Sequence, residues 1–389
     1  MSRNTFLLAL TSLFADISSE MLYPILPVFL TENLKAGGAI VGLVEGIAET
    51  TKNAVQGFSG ALSDKLRRRK PVAVAGYLLS AIAKPFMGIA GVWQILLVGR
   101  FADRLGSGIR SAPRDALIAA SATEKSRGKA FGLEGAGDNA GAFLGPLLTL
   151  ALIAVFGIGL RTMFFLAVIP GLLALLMILF VKEHPVAESP QAKPKISLRQ
   201  FPADYRRYLM IIGLFGLGNS TNAFLILQAN DLGLSLTTTI LVYAAYNLVA
   251  AVISYPAGFL SDRFGRKKVL LAGFVIFAVT YLGFALSRNL WLIGSLFVAY
   301  GLYQGIFRSV GKAFASDFVR PEQRAGGVGW YGTVVGLSGM VASLVAGQLW
   351  DNVGHAAVFV YGAVFAILGV MALLMFRPAR YSDGLKLNR

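Results

Sequence analysis

The chain has 389 residues, of which 56% are hydrophobic and only 14% are charged. A soluble protein carries about 25% charged residues, so most of this surface must face lipid. The formal net charge of +16 resides mainly in short turns between apolar segments. That placement is typical of membrane topology signals and not of a nucleic-acid groove, so we expect no nucleic-acid partner. The absence of cysteine excludes disulfides and thiol chemistry.

A helix needs about 20 mostly apolar residues to span the hydrocarbon core of a membrane. By that measure the sequence predicts twelve transmembrane helices, near residues 5–30, 39–63, 71–90, 92–119, 128–156, 162–181, 205–229, 236–261, 268–286, 290–315, 325–350 and 356–377. The first carries Asp16 and Glu20 and shows no small-residue cleavage site, so we expect a retained helix rather than a signal peptide. The polar, proline-containing segment 182–204 predicts a cytoplasmic linker between an N-terminal domain (1–181) and a C-terminal domain (205–389).

Lysine and arginine are unevenly distributed between the two sets of predicted loops. One set, which includes both termini and the linker, holds 25 of the 36 basic residues, and the other set holds three. Because basic loops remain in the cytoplasm, this ratio predicts that both termini are cytoplasmic. An even number of helices requires the same. We therefore expect a multi-pass protein of the bacterial inner membrane.

A charged turn occurs twice, at Gly60–Lys70 and at Gly258–Lys268. Asp64 and Asp262 occupy the same place in the two copies, 198 residues apart, which indicates that the chain repeats its architecture. Both turns resemble the loop signature of the major facilitator superfamily, Gly-x-Leu-Ala/Ser-Asp-Arg-x-Gly-Arg-Arg/Lys, although Arg67 replaces the second glycine in the first copy. The resemblance extends over essentially the whole chain.

This resemblance implies an all-α integral membrane protein with twelve transmembrane helices in two pseudo-symmetric six-helix bundles. In that family, helices 1, 4, 7 and 10 line a central cavity. The resemblance also implies a cytoplasmic gate, in which the carboxylates of the two turns engage helix ends and neighbouring arginines. The predicted gate residues are Asp64, Arg68, Arg114, Asp262, Arg263 and Arg266.

Acidic residues lie inside the first two predicted helices. A charged side chain at mid-membrane costs about 2.5–3.5 kcal/mol on insertion scales, so it normally faces a cavity or a partner. Asp16 and Glu20 are four residues apart and share one helix face, which favours a protonatable or cation-binding pair. The alternative is structural pairing with Lys52 or with an arginine of the fourth helix. Glu45 and Glu49 are further coupling candidates; the alternatives are a pair between Glu49 and Lys52 and, for Glu45, a position in water near the outside.

The fourth predicted helix is rich in arginine. Arg104 and the glycine four residues later resemble the family's helix-4 motif, which is linked to proton transfer, and Arg104 is our candidate for that role. Arg110 and Arg114 lie closer to the cytoplasm and would attract an anionic substrate or form gate pairs; the alternative is that they extend to the cytoplasmic surface. Glu134 and Asp138 of the fifth helix are expected to face Arg110 or Arg114, as a structural lock or as a switch released by protonation.

The fifth predicted helix carries a stripe of small residues at Gly137, Gly141 and Gly145, which favours close helix packing. Its Gly-x-x-x-Gly-Pro sequence resembles the helix-5 motif of the antiporters of the superfamily. The resemblance favours export.

The predicted helices of the C-terminal half carry few charged residues and would offer a mostly neutral wall. Their amphipathic side chains suit a ligand pocket, the alternative being hydrogen bonds between helices. The predicted substrate cavity consists of Tyr23, Ser107, Arg110, Asn219, Asn222, Tyr243, Asn247, Tyr300, Gln304 and Arg308. The predicted coupling residues are Asp16, Glu20, Glu45, Glu49, Arg104, Glu134 and Asp138.

These features predict a proton-coupled secondary transporter that works by alternating access and exports a small organic solute or drug. The alternatives are an importer of an organic ion or metal chelate and an exporter of a divalent metal cation. An enzyme would need a nucleophile, base or metal set, and no His, Cys or nucleotide-binding loop accompanies the intramembrane acids. A channel would not need two half-chain gates. We expect a monomer without cofactor or bound metal, whose partners are a small-molecule or ion substrate, protons and the lipid bilayer.

Overall fold

The computed structural model describes residues 2–66, 68–122, 127–183, 198–319 and 324–378. The first half contains α1 (Arg3–Glu20), α2 (Leu26–Val28), a π-helical turn (Phe29–Asn33), α3 (Gly38–Leu66), α4 (Arg69–Gly88), α5 (Trp93–Ala120), α6 (Arg127–Phe156), α7 (Leu160–Leu166) and α8 (Val168–Leu179). The second half contains a 3₁₀ turn (Leu198–Gln200), α9 (Ala203–Gly216), α10 (Ala223–Asp231), α11 (Leu236–Phe264), α12 (Arg266–Leu286), α13 (Leu290–Asp317), α14 (Arg324–Asn352) and α15 (His355–Met375). Each of the twelve predicted membrane segments is helical, so the all-α fold is confirmed.

Three of the predicted segments each consist of two helices. The first is interrupted after α1, where Pro24 and Pro27 disfavour a continuous helix because proline lacks the N–H group and crowds the preceding turn. The sixth is interrupted at Ala167, and the seventh between Gly216 and Ala223. Inside a membrane protein such breaks are tolerated where protein or a cavity satisfies the freed backbone groups.

The sequence repeat is present in the helix boundaries. α3 and α11 begin 198 residues apart and also end 198 residues apart, at Gly38–Leu66 and Leu236–Phe264. The turn after α11 explains one residue of the signature: Gly265 has φ of 94°, a left-handed conformation that favours glycine, and α12 then starts at Arg266. Arg67, at the same place in the first copy, lies outside the described residues.

Among the described residues, eight helical segments are long and apolar enough to cross a membrane by length and composition. The first, second, fourth and seventh predicted segments are not among them. α3 and α5 carry several charged residues, α1 is short and acidic near its end, and α9 and α10 are separated by a break. The charges of α3 and α5 are compatible with a membrane because most of them are paired, as described below.

Contacts group the chain into two compact units. The first comprises Met1–Ser189 and Asn222–Leu248, and the second comprises Pro190–Thr221 and Val249–Arg389. α10 and the first part of α11 therefore belong by their contacts to the first unit. The boundary predicted from sequence, a linker at 182–204, remains a prediction about the two bundles.

The first unit is held together by close approaches between helices. A Cβ atom at Gly137 of α6 would lie 2.6 Å from the carbonyl oxygen of Ala9, and one at Gly141 would lie 2.6 Å from that of Leu13. The two glycines are one helical turn apart, and so are their partners on α1. The predicted stripe of small residues therefore packs along α1 at backbone distance, which only glycine permits.

The second unit has an aromatic core. Phe215 of α9 stacks on Phe274 of α12 with ring centroids 3.8 Å apart, and Phe277 stacks on Tyr281 at 4.0 Å. Phe277 also meets the edge of Tyr303 from α13 at 4.8 Å. All five rings are buried. Aromatic rings thus fill the space between α9, α12 and α13.

Candidate functional site

The centre of the first unit contains four buried charged side chains, Glu45, Lys84, Arg100 and Asp103, which we call the buried quartet. Arg100 holds Glu45 with two hydrogen bonds, Nε to Oε1 at 2.8 Å and Nη2 to Oε2 at 3.0 Å. Asp103 accepts from Arg100 Nη1 at 3.4 Å and from Lys84 Nζ at 3.3 Å. No member of the quartet is more than 2% exposed. Two acids and two bases leave it neutral, which limits the cost of burying the charges.

Glycines bring the helices of the quartet close enough for these contacts. A Cβ at Gly106 of α5 would lie 2.6 Å from the Gly76 carbonyl oxygen of α4, and one at Gly108 would lie 2.8 Å from the Lys52 carbonyl oxygen of α3. α5 therefore lies against α3 on one side and α4 on the other. Arg100 and Asp103, three residues apart on α5, can reach both neighbours.

The quartet corrects one sequence-based alternative. Glu45 does not lie in water near the outside, because it is 1% exposed and bound to Arg100. Beside the quartet, Glu49 approaches Arg104, with Oε1 3.8 Å from Nε. Lys84, Arg100 and Asp103 were not among the site residues predicted from the sequence. Their signal was present: each is a charge inside an apolar segment, and such a charge needs a partner.

A second group of charges surrounds Arg114 of α5. Its guanidinium lies 2.8 Å from Glu134, 3.5 Å from Asp138 and 3.1 Å from Asp115. Ser12 of α1 accepts from Arg114 Nη1 and donates to Glu134, both at 3.0 Å. We call these five residues the Arg114 cluster. The prediction that the α6 acids face an arginine of the fourth segment is confirmed for Arg114, whose side chain is 15% exposed and does not extend to the surface.

Asp16 and Glu20 have different surroundings, although they share a face of α1. Asp16 lies against α6, where a Cβ at Gly141 would be 2.8 Å from its own Cβ. The charges that act on it are those of Asp138, Glu20, Arg110 and Arg114. Glu20 accepts a hydrogen bond from the hydroxyl of Tyr243 at 3.0 Å.

Tyr243 of α11 and Tyr23, which follows α1, form an aromatic pair that we call the aromatic lid. Tyr243 stacks on Tyr23 with centroids 5.5 Å apart and ring planes 12° apart. The Arg100 guanidinium lies 5.7 Å from the Tyr23 centroid, so the lid connects to the buried quartet. Asn247 donates to the carbonyl of Ala142 at 3.3 Å.

Other predicted cavity residues are occupied by hydrogen bonds. Asn222 donates to the Tyr246 hydroxyl at 3.0 Å in the first unit. In the second unit Asn219 donates to the Tyr303 hydroxyl at 2.9 Å, and Gln304 to the Tyr300 hydroxyl at 3.5 Å. The bonds of Asn219 and Asn222 join different helical segments, as the alternative of hydrogen bonds between helices expects, whereas that of Gln304 lies within α13. Ser107 is buried, and Arg308 is exposed.

The second signature turn contains an ion-pair chain within the second unit. Arg266 lies 3.3 Å from Asp262 and 2.6 Å from Asp317 at the end of α13. Arg263 packs on Phe264, 5.5 Å from its ring centroid. Of the first-turn residues, Arg68 is exposed just before α4, and the side chain of Asp64 lies outside the described part of the chain.

Comparison with known proteins places these features in a family. The model of the Major Facilitator Superfamily matches residues 8–227 and 208–388. An MFS-type transporter of Methanocaldococcus jannaschii is 36% identical over 380 residues, covering 96% of this chain and 95% of the relative. Multidrug resistance protein MdtG of Enterobacter lignolyticus is 27% identical over 372 residues, covering 90% and 87%. The crystal structure of nucleoside transporter NupG superposes with a TM-score of 0.83 at 14% identity, over 97% of this chain and all of that one.

Proposed function

Because the chain belongs to the major facilitator superfamily and is a multi-pass membrane transporter, we propose that it is a proton-coupled secondary transporter that exports a small organic solute or drug by alternating access. The observation that carries the proposal is the excess of acid in the Arg114 cluster. Glu134, Asp138 and Asp115 share one guanidinium, and Asp16 lies within the electrostatic range of the same arginine.

This arrangement suits a proton carrier for an electrostatic reason. One arginine cannot balance several carboxylates, so a proton bound to one of them relieves the repulsion between the others. Binding or release of that proton changes which carboxylate Arg114 holds. Since Ser12 and Asp16 come from α1, and Glu134 and Asp138 from α6, the exchange would alter how α1, α5 and α6 are held together. Such a change links protonation to the movement of helices.

Two observations support export. The Gly-x-x-x-Gly-Pro sequence of α6 resembles that of antiporters, and its glycines pack along α1 beside Asp16. One relative over most of the chain is named a multidrug resistance protein. The divalent-cation alternative is weakened, because Glu45 and Glu49 approach Arg100 and Arg104 and are not gathered with Asp16 and Glu20.

Import of an organic ion is the second candidate, and Arg110 favours it. Arg110 forms no ion pair with the described residues, its guanidinium lies over the ring of Tyr77, and Asp16 of α1 is within its electrostatic range. An anion bound to Arg110 would be held best when Asp16 carries a proton. The anion and the proton would then move together, in the direction of the proton gradient.

A transport assay tests both candidates. Proteoliposomes with an imposed pH gradient would be given labelled ethidium, chloramphenicol or benzoate, which represent a cation, a neutral solute and an anion. We expect Glu134→Gln and Asp138→Asn to reduce gradient-driven accumulation at least tenfold while exchange of labelled for unlabelled probe persists. Asp351→Asn, an exposed carboxylate in the second unit, serves as the control. Full gradient-driven accumulation in both α6 variants would place coupling elsewhere, and the direction of accumulation separates export from import.

We further propose that the protein is a monomer of the bacterial inner membrane with both termini in the cytoplasm. The distribution of basic residues between loops supports this orientation. Because the chain has no cysteine, a single cysteine at Ser2 would report the side on which the N-terminus lies. Labelling by an impermeant maleimide in intact cells would contradict the orientation.

A further inference from the structure

Arg110 differs from the other buried basic side chains of the first unit. Lys84, Arg100 and Arg104 each have a carboxylate oxygen within 4.0 Å. Arg110 is only 7% exposed, yet among the described residues no carboxylate lies within that distance of it. Its guanidinium instead lies over the ring of Tyr77, 4.6 Å from the centroid. A ring face stabilises a cation but does not neutralise it, so a buried charge is left without a counter-ion.

Tyr77 itself has an unused donor. Its hydroxyl is buried and has no hydrogen-bond partner among the described residues, although buried hydroxyl groups normally have one. It belongs to the ring against which the Arg110 guanidinium lies, 4.6 Å from the centroid. Two donor groups, one of them cationic, lie together without an acceptor.

The helix packing holds these donors in place. A Cβ at Gly76 of α4 would lie 2.8 Å from the backbone nitrogen of Arg110 and 2.9 Å from its Cβ. The backbone of Arg110 is therefore pressed against the residue that precedes Tyr77. This approach holds the backbone of Arg110 against α4, and the guanidinium lies buried over the ring of Tyr77.

We infer that Arg110 and Tyr77 bind an anionic group of the transported solute, through a carboxylate, phosphonate or sulfonate oxygen. Such an oxygen accepts hydrogen bonds from both donors and supplies the missing negative charge. The inference rests on the proposed function only in that the ligand is the transported solute, and it holds for export and for import. It names the substrate class: a small organic anion.

The charge of Asp16 is expected to oppose the binding of an anion at Arg110. Its carboxylate acts on Arg110 from α1, with Glu20 and Asp138 as further acids and Arg114 as a further cation nearby. When ionised, Asp16 competes with an incoming anion for Arg110. Removing its charge should strengthen anion binding, whereas removing the charge of Arg110 should abolish it.

Binding to the purified full-length protein in neutral detergent, without lipid and without a pH gradient, tests the site. The probes are benzoate, phenylphosphonate and benzenesulfonate, with benzamide as the neutral control and sodium chloride matching the ionic strength. Thermal unfolding would report binding. We expect at least one anion to raise the unfolding temperature of the wild type saturably and benzamide not to do so. Arg110→Gln should weaken that binding at least tenfold, Tyr77→Phe several-fold, and Asp16→Asn should tighten it several-fold.

Two further arms make the result decisive. Arg110→Lys keeps the charge and should retain part of the binding, and Tyr77→Phe keeps the ring and the packing, so it carries the test if Arg110→Gln does not fold. Repeating the wild-type titration with phosphatidylglycerol present distinguishes a lipid phosphate: loss of the benzoate effect would identify a lipid headgroup as the occupant and overturn the solute assignment. No saturable effect of any anion, or equal effects in wild type and Tyr77→Phe, would also overturn it. Because no gradient is used, this site can fail while proton coupling stands, and the reverse.

Discussion

The two units stabilise the same helical repeat with opposite chemistry. The interior of the first unit is joined by ion pairs, from Glu45 through Arg100 and Asp103 to Lys84. The interior of the second is joined by stacked rings, such as Phe215 on Phe274 at 3.8 Å. The repeat positions of Lys84, Arg100 and Asp103, 198 residues later, are Leu282, Val298 and Gly301. At these three positions the first half of the chain carries a charged side chain and the second half does not.

The two kinds of contact also differ in how they respond to small displacements of the helices. Ring packing tolerates small shifts, because dispersion changes gradually with distance over many contacts. An ion pair in a membrane tolerates little, because a carboxylate that loses its partner has no water to replace it. The ion pairs of the first unit therefore depend more strongly on the distances between its helices than the ring contacts of the second unit do.

Breaking the buried quartet should give the largest effect. Arg100→Met leaves Glu45 buried without its bidentate partner, which costs about 3–5 kcal/mol in the free energy of unfolding. The double variant Glu45→Met with Arg100→Met leaves the neutral pair of Lys84 and Asp103 and should recover most of that loss. Unfolding of the purified variants by SDS titration measures both. If Arg100→Met is as stable as the double variant, the quartet does not work as balanced pairs.

Introducing one charge of the first unit into the second should sharpen the comparison. Gly301 is buried and occupies the repeat position of Asp103, where the partners of Asp103 are replaced by Leu282 and Val298. Gly301→Asp should therefore be less stable than its isosteric control Gly301→Asn by about 2.5–3.5 kcal/mol, the cost of an unpaired charge at depth. The difference between Asp and Asn removes the effect of size. Equal unfolding free energies would show that the second unit accepts charge as readily as the first.

The fold followed from the sequence because its signals are periodic and repeated. Apolar length marks eight of the segments among the described residues, and the two charged turns mark the repeat, which the matching bounds of α3 and α11 confirm. The breaks in the sixth and seventh segments were not predicted. Pro170 lacks the N–H that would bond to the carbonyl of Leu166, where α7 ends, so this signal was present in the sequence. No proline lies between α9 and α10, and there tertiary packing decides the backbone.

Sequence spacing narrowed the choice of ion-pair partners in the site but did not decide it. Glu134 and Asp138 lie four residues apart on α6 and do meet Arg114. Arg110, four residues before Arg114, was expected to compete for them and instead lies on Tyr77, because the contact at Gly76 holds it against α4. Glu49 of α3 approaches Arg104 of α5, a contact that spacing along α3 does not indicate. Distances between helices, which sequence spacing does not contain, settled each case.

The smallest effect should come from the aromatic lid, which combines the two chemistries in one contact. Tyr243 stacks on Tyr23 and donates to Glu20. It stands at the repeat position of Glu45, 198 residues later, so a tyrosine here takes the place of an acid in the first half. Tyr243→Phe keeps the stacked ring and removes only the hydrogen bond to the carboxylate, which contributes about 1 kcal/mol. Because that bond ties α11 to α1 within the first unit, its loss should speed hydrogen exchange in α10 and in the first turns of α11.

Tyr331→Phe is the matched control for this last prediction. The Tyr331 hydroxyl is buried and has no hydrogen-bond partner among the described residues, so removing it should change exchange little. Hydrogen exchange measured by mass spectrometry on both variants compares the loss of the Tyr243 hydroxyl, which donates to Glu20, with the loss of the Tyr331 hydroxyl. Faster exchange over 223–248 in Tyr243→Phe alone would identify the hydroxyl as the tie. Equal exchange in the two variants would show that ring stacking, and not the hydroxyl, holds the aromatic lid together. At this contact the first unit would then be stabilised by stacked rings, as the second unit is.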